Sequence, residues 1–233
     1  MKLVRTRKAA HLFLAGWGVE TGARSFLRPW ITDRDFLARY RSILGHTLVD
    51  ERRCYALLQF LRHTASLDGS VAEVGVYKGG TARLLAAECA GSTLFLFDTF
   101  AGMPEIRGGV DVHRQGEFAD TSLEQVRDFV GHPERVVIRR GVFPASAVEL
   151  EKERFRFVHV DCDIFDSVYA CCQWFFPRLV PGGVLLFDDY AFRDCPGAKL
   201  AVDQYFSPLP EHPVLMPYGG AFVVKLPAAT PAI

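Results

Sequence analysis

The sequence has no surplus of charge of either sign: 27 Lys and Arg face 27 Asp and Glu across 233 residues. A protein that binds nucleic acid by neutralising phosphates carries a basic excess, so nucleic acid is not an expected partner. Long apolar runs are also missing, and none approaches the ~20 residues of a membrane span. Lys2, Arg5, Arg7 and Lys8 do precede an apolar stretch at 9–19, in the order of a signal peptide. However, His11 interrupts that stretch and 20–24 is a poor cleavage site, so the N-terminus reads as an amphipathic, partly ordered arm. The six cysteines include no C-x-x-C pair and have mostly apolar neighbours, which favours buried reduced thiols over a zinc site or a disulfide frame. That usage points to the cytoplasm. The G-K-[ST] ending of a P-loop, the G-x-G-x-x-G fingerprint and the Tyr-x-x-x-Lys pair of a nicotinamide oxidoreductase are absent as well.

What the chain does have is material for a core, with 49% hydrophobic residues and 19 Phe among them. No linker-like segment divides its middle, so we expect one catalytic-sized domain behind an N-terminal appendage. The expected boundaries are 1–65 for the arm and its helices, 66–227 for the core and 228–233 for a tail. Apolar residues recur at helical spacing through 34–63. From there, strand-length runs at 70–76, 93–97, 135–140, 155–160 and 183–187 alternate with helical stretches at 81–89, 123–130, 167–176 and 198–206. A last pair, 213–216 and 220–226, has no helix between its members and reads as an antiparallel hairpin. This pattern predicts an α/β sandwich around a mostly parallel seven-stranded sheet, with ligands beyond the carboxyl ends of the strands.

The first strand runs into Glu73-Val74-Gly75-Val76-Tyr77-Lys78-Gly79-Gly80-Thr81, whose glycines permit a tight turn and a close backbone approach to a ligand. The second ends in Asp98-Thr99. Asp98 is either an acceptor for ribose hydroxyls or a loop cap. Two later strands run directly into acids, at His159-Val160-Asp161-Cys162-Asp163 and at Phe187-Asp188-Asp189. If these strands are neighbours, their carboxylates converge with no Lys or Arg nearby in sequence, and only a cation or shared protons can relieve the repulsion. An all-oxygen set suits Mg²⁺, Mn²⁺ or Ca²⁺ rather than zinc. The competing reading makes these acids caps, and Asp166 is assigned as a helix cap in either case. Asp163 and His159 are candidate bases, His159 also fitting a buried core histidine.

Taken in order, Glu73-x-Gly75-x-Tyr77-x-Gly79-Gly80, Asp98-Thr99-Phe100-x-Gly102-Met103-Pro104, Phe118-x-Asp120-Thr121-Ser122, His159-x-Asp161-x-Asp163, Pro181-Gly182-Gly183 with Asp188-Asp189-Tyr190, and Cys195-Pro196-Gly197 with Ala201-Val202-Asp203 resemble the TylF-type (macrocin) O-methyltransferases. The resemblance covers about 45–226. It implies a Rossmann-like class I methyltransferase fold, S-adenosylmethionine as methyl donor, Mg²⁺ (or Mn²⁺), and a homodimer. It also implies a small-molecule hydroxyl acceptor that is glycosylated. By this resemblance Asp161, Asp188 and Asp189 would hold the metal and Asp163 would be the general base. Glu73, Gly75, Tyr77 and Gly80 would line the methionine half of the cofactor, beside Gly79, Thr81 and Thr99. Asp98 would take the ribose, Gly141 and Phe143 would lie near the adenine, and Asp161 would border both cofactor and metal. Where the family commonly has Leu-Tyr after the second acid this chain has Ile164-Phe165, and the loop 106–117 matches poorly. A phenol-directed Mg²⁺ methyltransferase and a catalytically inactive nucleoside-binding protein are the alternative readings.

Overall fold

The computed structural model describes residues 28–227. The chain divides into two compact units, 1–37 and 38–233. The first contains the short helix α1 (Pro29–Thr32), and helix α2 spans Arg34–Ser42. The expected arm at 1–27 and the tail at 228–233 lie outside the described residues.

The division falls at 37/38, whereas the sequence pattern sets the start of the core at 66. Helix α3 (Glu51–His63) belongs to the second unit, because Leu57, Leu58 and Leu61 are buried and commit one face to the core. Its start is set by Asp50, whose carboxylate accepts from the backbone N–H groups of Arg52 and Arg53. The remaining elements are β1 (Ser70–Val74), α4 (Gly80–Glu88), β2 (Leu94–Asp98), α5 (Leu123–Val130), β3 (Val136–Arg140), β4 (Phe155–Val160), α6 (Phe165–Phe175), β5 (Leu179–Phe187), α7 (Pro196–Phe206), β6 (Val214–Leu215) and β7 (Ala221–Val224). Strand β5 begins four residues earlier than expected. A register shift against β4 between Phe155 and Phe157 absorbs the Pro181-Gly182-Gly183 interruption.

The seven strands lie in the order β3-β2-β1-β4-β5-β7-β6. The first five are parallel, and β7 joins β5 and β6 antiparallel. Every residue of β1 and of β4 is buried, as expected for a parallel sheet covered on both faces. An aromatic layer of Phe97, Phe143, Phe155 and Phe175 fills one side, with Phe143 and Phe175 stacked 4.9 Å apart. The order reverses between β1 and β4: the chain first moves outward through β2 and β3, then returns to the other side of β1. This switch point leaves a crevice beyond the strand ends. Because β4 and β5 pair directly, the acids that follow them are brought side by side.

Candidate active site

A cavity of about 340 Å³ opens at this switch point. Among the predicted cofactor residues, Gly75, Tyr77, Thr81, Asp98, Thr99, Gly141, Phe143 and Asp161 line it. Asp98 is committed first to its own backbone: one oxygen accepts from Val76 and Tyr77 N–H, the other from Phe100 N–H. Those bonds hold the β1 and β2 turns together, with Tyr77 and Phe100 both at positive φ. Gly141 N–H in turn donates to Asp98 O at 2.9 Å, so the third strand end is tied to the second.

Three predicted cofactor residues do not line the cavity. Glu73 is fully buried within β1, with Oε1 2.8 Å from His159 Nδ1 on the paired position of β4, and its Oε2 has no hydrogen-bond partner among the described residues. Gly79 and Gly80 face the chain itself. A Cβ at Gly80 would meet His46 O at 2.7 Å and Thr47 Cβ at 2.6 Å. Gly75 lines the cavity, but what demands glycine there is not a ligand. At φ +87° a Cβ would sit 1.7 Å from Asp161 O, so β1 and β4 can end together only if position 75 has no side chain.

The acids converge as expected. Asp161, Asp188 and Asp189 each present an oxygen within 4.8 Å of the others. Burial, then the charge of Asp188, pushes Asp161 well above the ordinary carboxylate range. Burial, then Asp163 and Asp161, does the same to Asp189. No Lys or Arg stands nearby in sequence, but one reaches the acids from another element. Arg53 of α3 forms an ion pair with Asp188, and its own protonated form is favoured by Asp188 and Asp161 despite burial. His159 is 1% exposed, with Nε2 3.8 Å from Asp188. Burial opposes its charge, but Asp188 and Glu73 outweigh burial and raise its pKa to about 10. Such a histidine is an enclosed imidazolium that supports the acids, and it is not placed to take a proton from an acceptor. Arg53 and His159 are basic groups that meet this cluster of Glu73, Asp161, Asp163, Asp188 and Asp189. A buried excess of oxygen donors is the environment in which a hard divalent cation fits.

Asp163 borders the trio. Its backbone takes the left-handed conformation (φ +58°) and its N–H donates to Asp189 Oδ2 at 3.2 Å. This unusual turn puts its carboxyl group on the cavity wall, with burial raising its pKa against the opposing influence of His113. Asp166 does not cap α6. It pairs with Arg107, and the first N–H of the helix, that of Phe165, donates to Asp111 Oδ1 at 2.9 Å. Arg53 and His113 carried no sequence signal as site residues, because they reach the cavity from a distant helix and a poorly matched loop, while Cys195 stood in a quoted motif without an assigned role.

A doubly wound, mostly parallel sheet with a C-terminal antiparallel pair and strand-end acids beside a cavity defines a class I methyltransferase. The family described as Macrocin-O-methyltransferase (TylF) matches residues 28–208, and this chain belongs to it; it is a methyltransferase enzyme. It is 29% identical over 182 residues to the 8-demethyl-8-(2,3-dimethoxy-alpha-L-rhamnosyl)-tetracenomycin-C 4'-O-methyltransferase of Streptomyces olivaceus, covering 70% of this chain and 69% of that protein. It is 26% identical over 181 residues to the demethyldecarbamoylnovobiocin O-methyltransferase of Streptomyces niveus, covering 69% and 68%. Its fold resembles the O-methyltransferase NovP with a TM-score of 0.67 at 22% identity, over 78% of this chain and 83% of that one. The calicheamicin methyltransferase CalS11 gives 0.64 at 18% identity, over 88% and 99%.

Proposed function

We propose that this enzyme transfers a methyl group from S-adenosylmethionine to a sugar hydroxyl of a natural product, with Mg²⁺ (or Mn²⁺) as required cation. The observation that carries this reading is the meeting of Asp161, Asp188 and Asp189 within 4.8 Å, on the same cavity wall as Asp163. The tetracenomycin relative is named for a rhamnosyl substrate, which supports the acceptor class.

Asp161, Asp188 and Asp189 would hold the cation, which when bound lowers the pKa of an acceptor hydroxyl and fixes its direction. Arg53 and His159 hold Asp188 between them, so that carboxylate keeps one orientation. Asp163 takes the hydroxyl proton on a carboxylate oxygen as the bond between the hydroxyl oxygen and the methyl carbon forms and the methyl–sulfur bond breaks, the electron pair staying on sulfur to give a neutral thioether. General-base help of this kind is worth about 10²–10⁴ in rate. Tyr77, Thr99 and Asp98 border the space for the donor nucleoside, while Phe97, Met103 and Phe143 make its wall apolar and exclude water. Holding donor and acceptor in line supplies a contribution at least as large as that of the base.

The test is a methyltransfer assay on glycosylated and on catechol acceptors, with and without EDTA. Turnover on glycosides that stops in EDTA and returns with Mg²⁺ is expected, with Asp161→Ala inactive yet folded. Full activity in EDTA removes the cation, and turnover confined to catechols removes the sugar.

A further inference from the structure

A second group of donors meets on the cavity wall, separate from the three carboxylates. Cys195 Sγ lies 3.6 Å from His113 Nε2 and 3.4 Å from Asp163 Oδ1, and that Nε2 and Oδ1 are 3.8 Å apart. Tetrahedral zinc, with Zn–S of about 2.3 Å and Zn–N or Zn–O of about 2.0–2.1 Å, requires donor separations of about 3.3–3.6 Å. All three edges lie within about 0.5 Å of that triangle. The two edges to sulfur are within hydrogen-bond reach, while the third, 3.8 Å between His113 and Asp163, is beyond it.

A second observation concerns the far side of the imidazole. His113 Nδ1 is 2.7 Å from Glu117 Oε2. A carboxylate there takes the Nδ1–H and leaves the Nε2 lone pair on the side of Cys195 and Asp163, an arrangement that accompanies imidazole ligation. The loop carrying His113 is also anchored. Asp111, two residues earlier, accepts from Phe165 N–H at the start of α6 and rests against Gly197 at the start of α7. These are the helices that follow Asp163 and Cys195, so all three donors stand on connected backbone.

We propose that His113, Asp163 and Cys195 form a second cation site, selective for Zn²⁺ or another thiophilic divalent ion, with a fourth position open to the cavity. Sulfur and imidazole donors distinguish it from the all-oxygen set, which suits Mg²⁺ or Mn²⁺. On binding, the Cys195 thiol loses its proton to solvent and a metal–sulfur bond forms, with no change of oxidation state. A further consequence rests on the reading of Asp163 as the base: a carboxylate ligated to Zn²⁺ is a much weaker base, so zinc inhibits methyl transfer.

The probe is Co²⁺, titrated into the full-length protein in excess Mg²⁺. A thiolate-to-cobalt charge-transfer band is expected, saturating at one equivalent and displaced by Zn²⁺. It should be lost in Cys195→Ser and kept in Asp188→Asn, where the oxygen set is incomplete. Glu117→Gln should weaken Co²⁺ binding roughly 10–100-fold. Absence of the band in the folded wild-type protein, or the same band in Cys195→Ser, overturns the site. If Cys195→Ser fails to fold, unchanged Co²⁺ affinity in Glu117→Gln overturns it instead. These readings need no turnover, so their failure leaves the methyl-transfer reading untouched. Zinc binding at this site with full methyl transfer supports the site and removes Asp163 as the base.

Discussion

Arg53 and Asp188 form an ion pair across 135 positions of the chain. The side chains are 13% and 6% exposed, so the pair is buried, and the guanidinium also donates to Leu48 O and lies over the Phe192 ring. A helix preceding the whole sheet thus supplies a countercharge at the end of its fifth strand.

Replacing Arg53 by Met keeps much of the volume and removes the charge. The metal-free variant is left with Asp188 beside Asp161 and Asp189, and breaking a buried pair in this way costs about 3–5 kcal/mol. Urea unfolding in EDTA should show that loss, and saturating Mg²⁺ should recover a large part of it, because a ligand of the native state stabilises by mass action. A metal-free stability within about 0.5 kcal/mol of wild type would mean that the pair does not hold the site together.

Stability without metal should also depend on pH. Asp161 and Asp189 titrate above the ordinary carboxylate value when folded. A carboxyl group of this kind holds its proton more tightly in the native state, so its contribution is complete below the unfolded value of about 3.9 and is lost as pH rises. The melting temperature of EDTA-treated protein should therefore fall from pH 5 towards neutrality, an unusual direction for carboxylates. Excess Mg²⁺ should flatten that slope, and Asp189→Asn should reduce it. A metal-free melting temperature that climbs with pH over this range would contradict the raised values.

His159 gives a second limb at higher pH. Its folded pKa of about 10 lies above the ordinary 6.5, so the stabilisation from its proton is complete below about 6.5 and disappears as pH rises through 10. Glu73→Gln weakens the pairing to Nδ1 and should lower stability most near pH 6, leaving a shallower alkaline decline. Parallel wild-type and variant curves from pH 6 to 10 would show that Glu73 is not what holds the imidazolium.

The βα alternation, the hairpin and the strand-end acids were legible because each is a local pattern: period two against period 3.6, then an acid where the apolar run stops. Pairing of β4 with β5 turned two such endings into one site. What stayed hidden depends on contacts between segments far apart in sequence. The glycine at 75 looked like a ligand cradle, whereas Asp161 O is what requires it. Glu73 stands two residues before Gly75 in the motif, yet its side chain pairs with His159 inside the sheet. Asp166 reads as a cap because the sequence pattern starts the helix near 167; the helix starts at Phe165, and Asp111, from a loop more than fifty residues away, takes the role.

Gly197 shows how that loop is held. A Cβ there would lie 1.9 Å from Asp111 Oδ1 and 2.8 Å from Phe165 N, so Gly197→Ala displaces the carboxylate that caps α6. At an open helix start Ala would gain up to ~1 kcal/mol over Gly. Here the clash with a capping group, itself worth about 0.5–2 kcal/mol, decides the sign. The 106–117 loop should then come free, because Asp111 Oδ2 also accepts from Arg107 N–H and closes the loop on itself. Limited trypsin digestion at Arg107 and Arg114 should accelerate several-fold in Gly197→Ala and in Asp111→Ala. Asp111→Asn, which keeps an acceptor oxygen, should digest close to the wild-type rate. Equal cleavage rates in all four proteins would show that the loop is held by contacts other than Asp111.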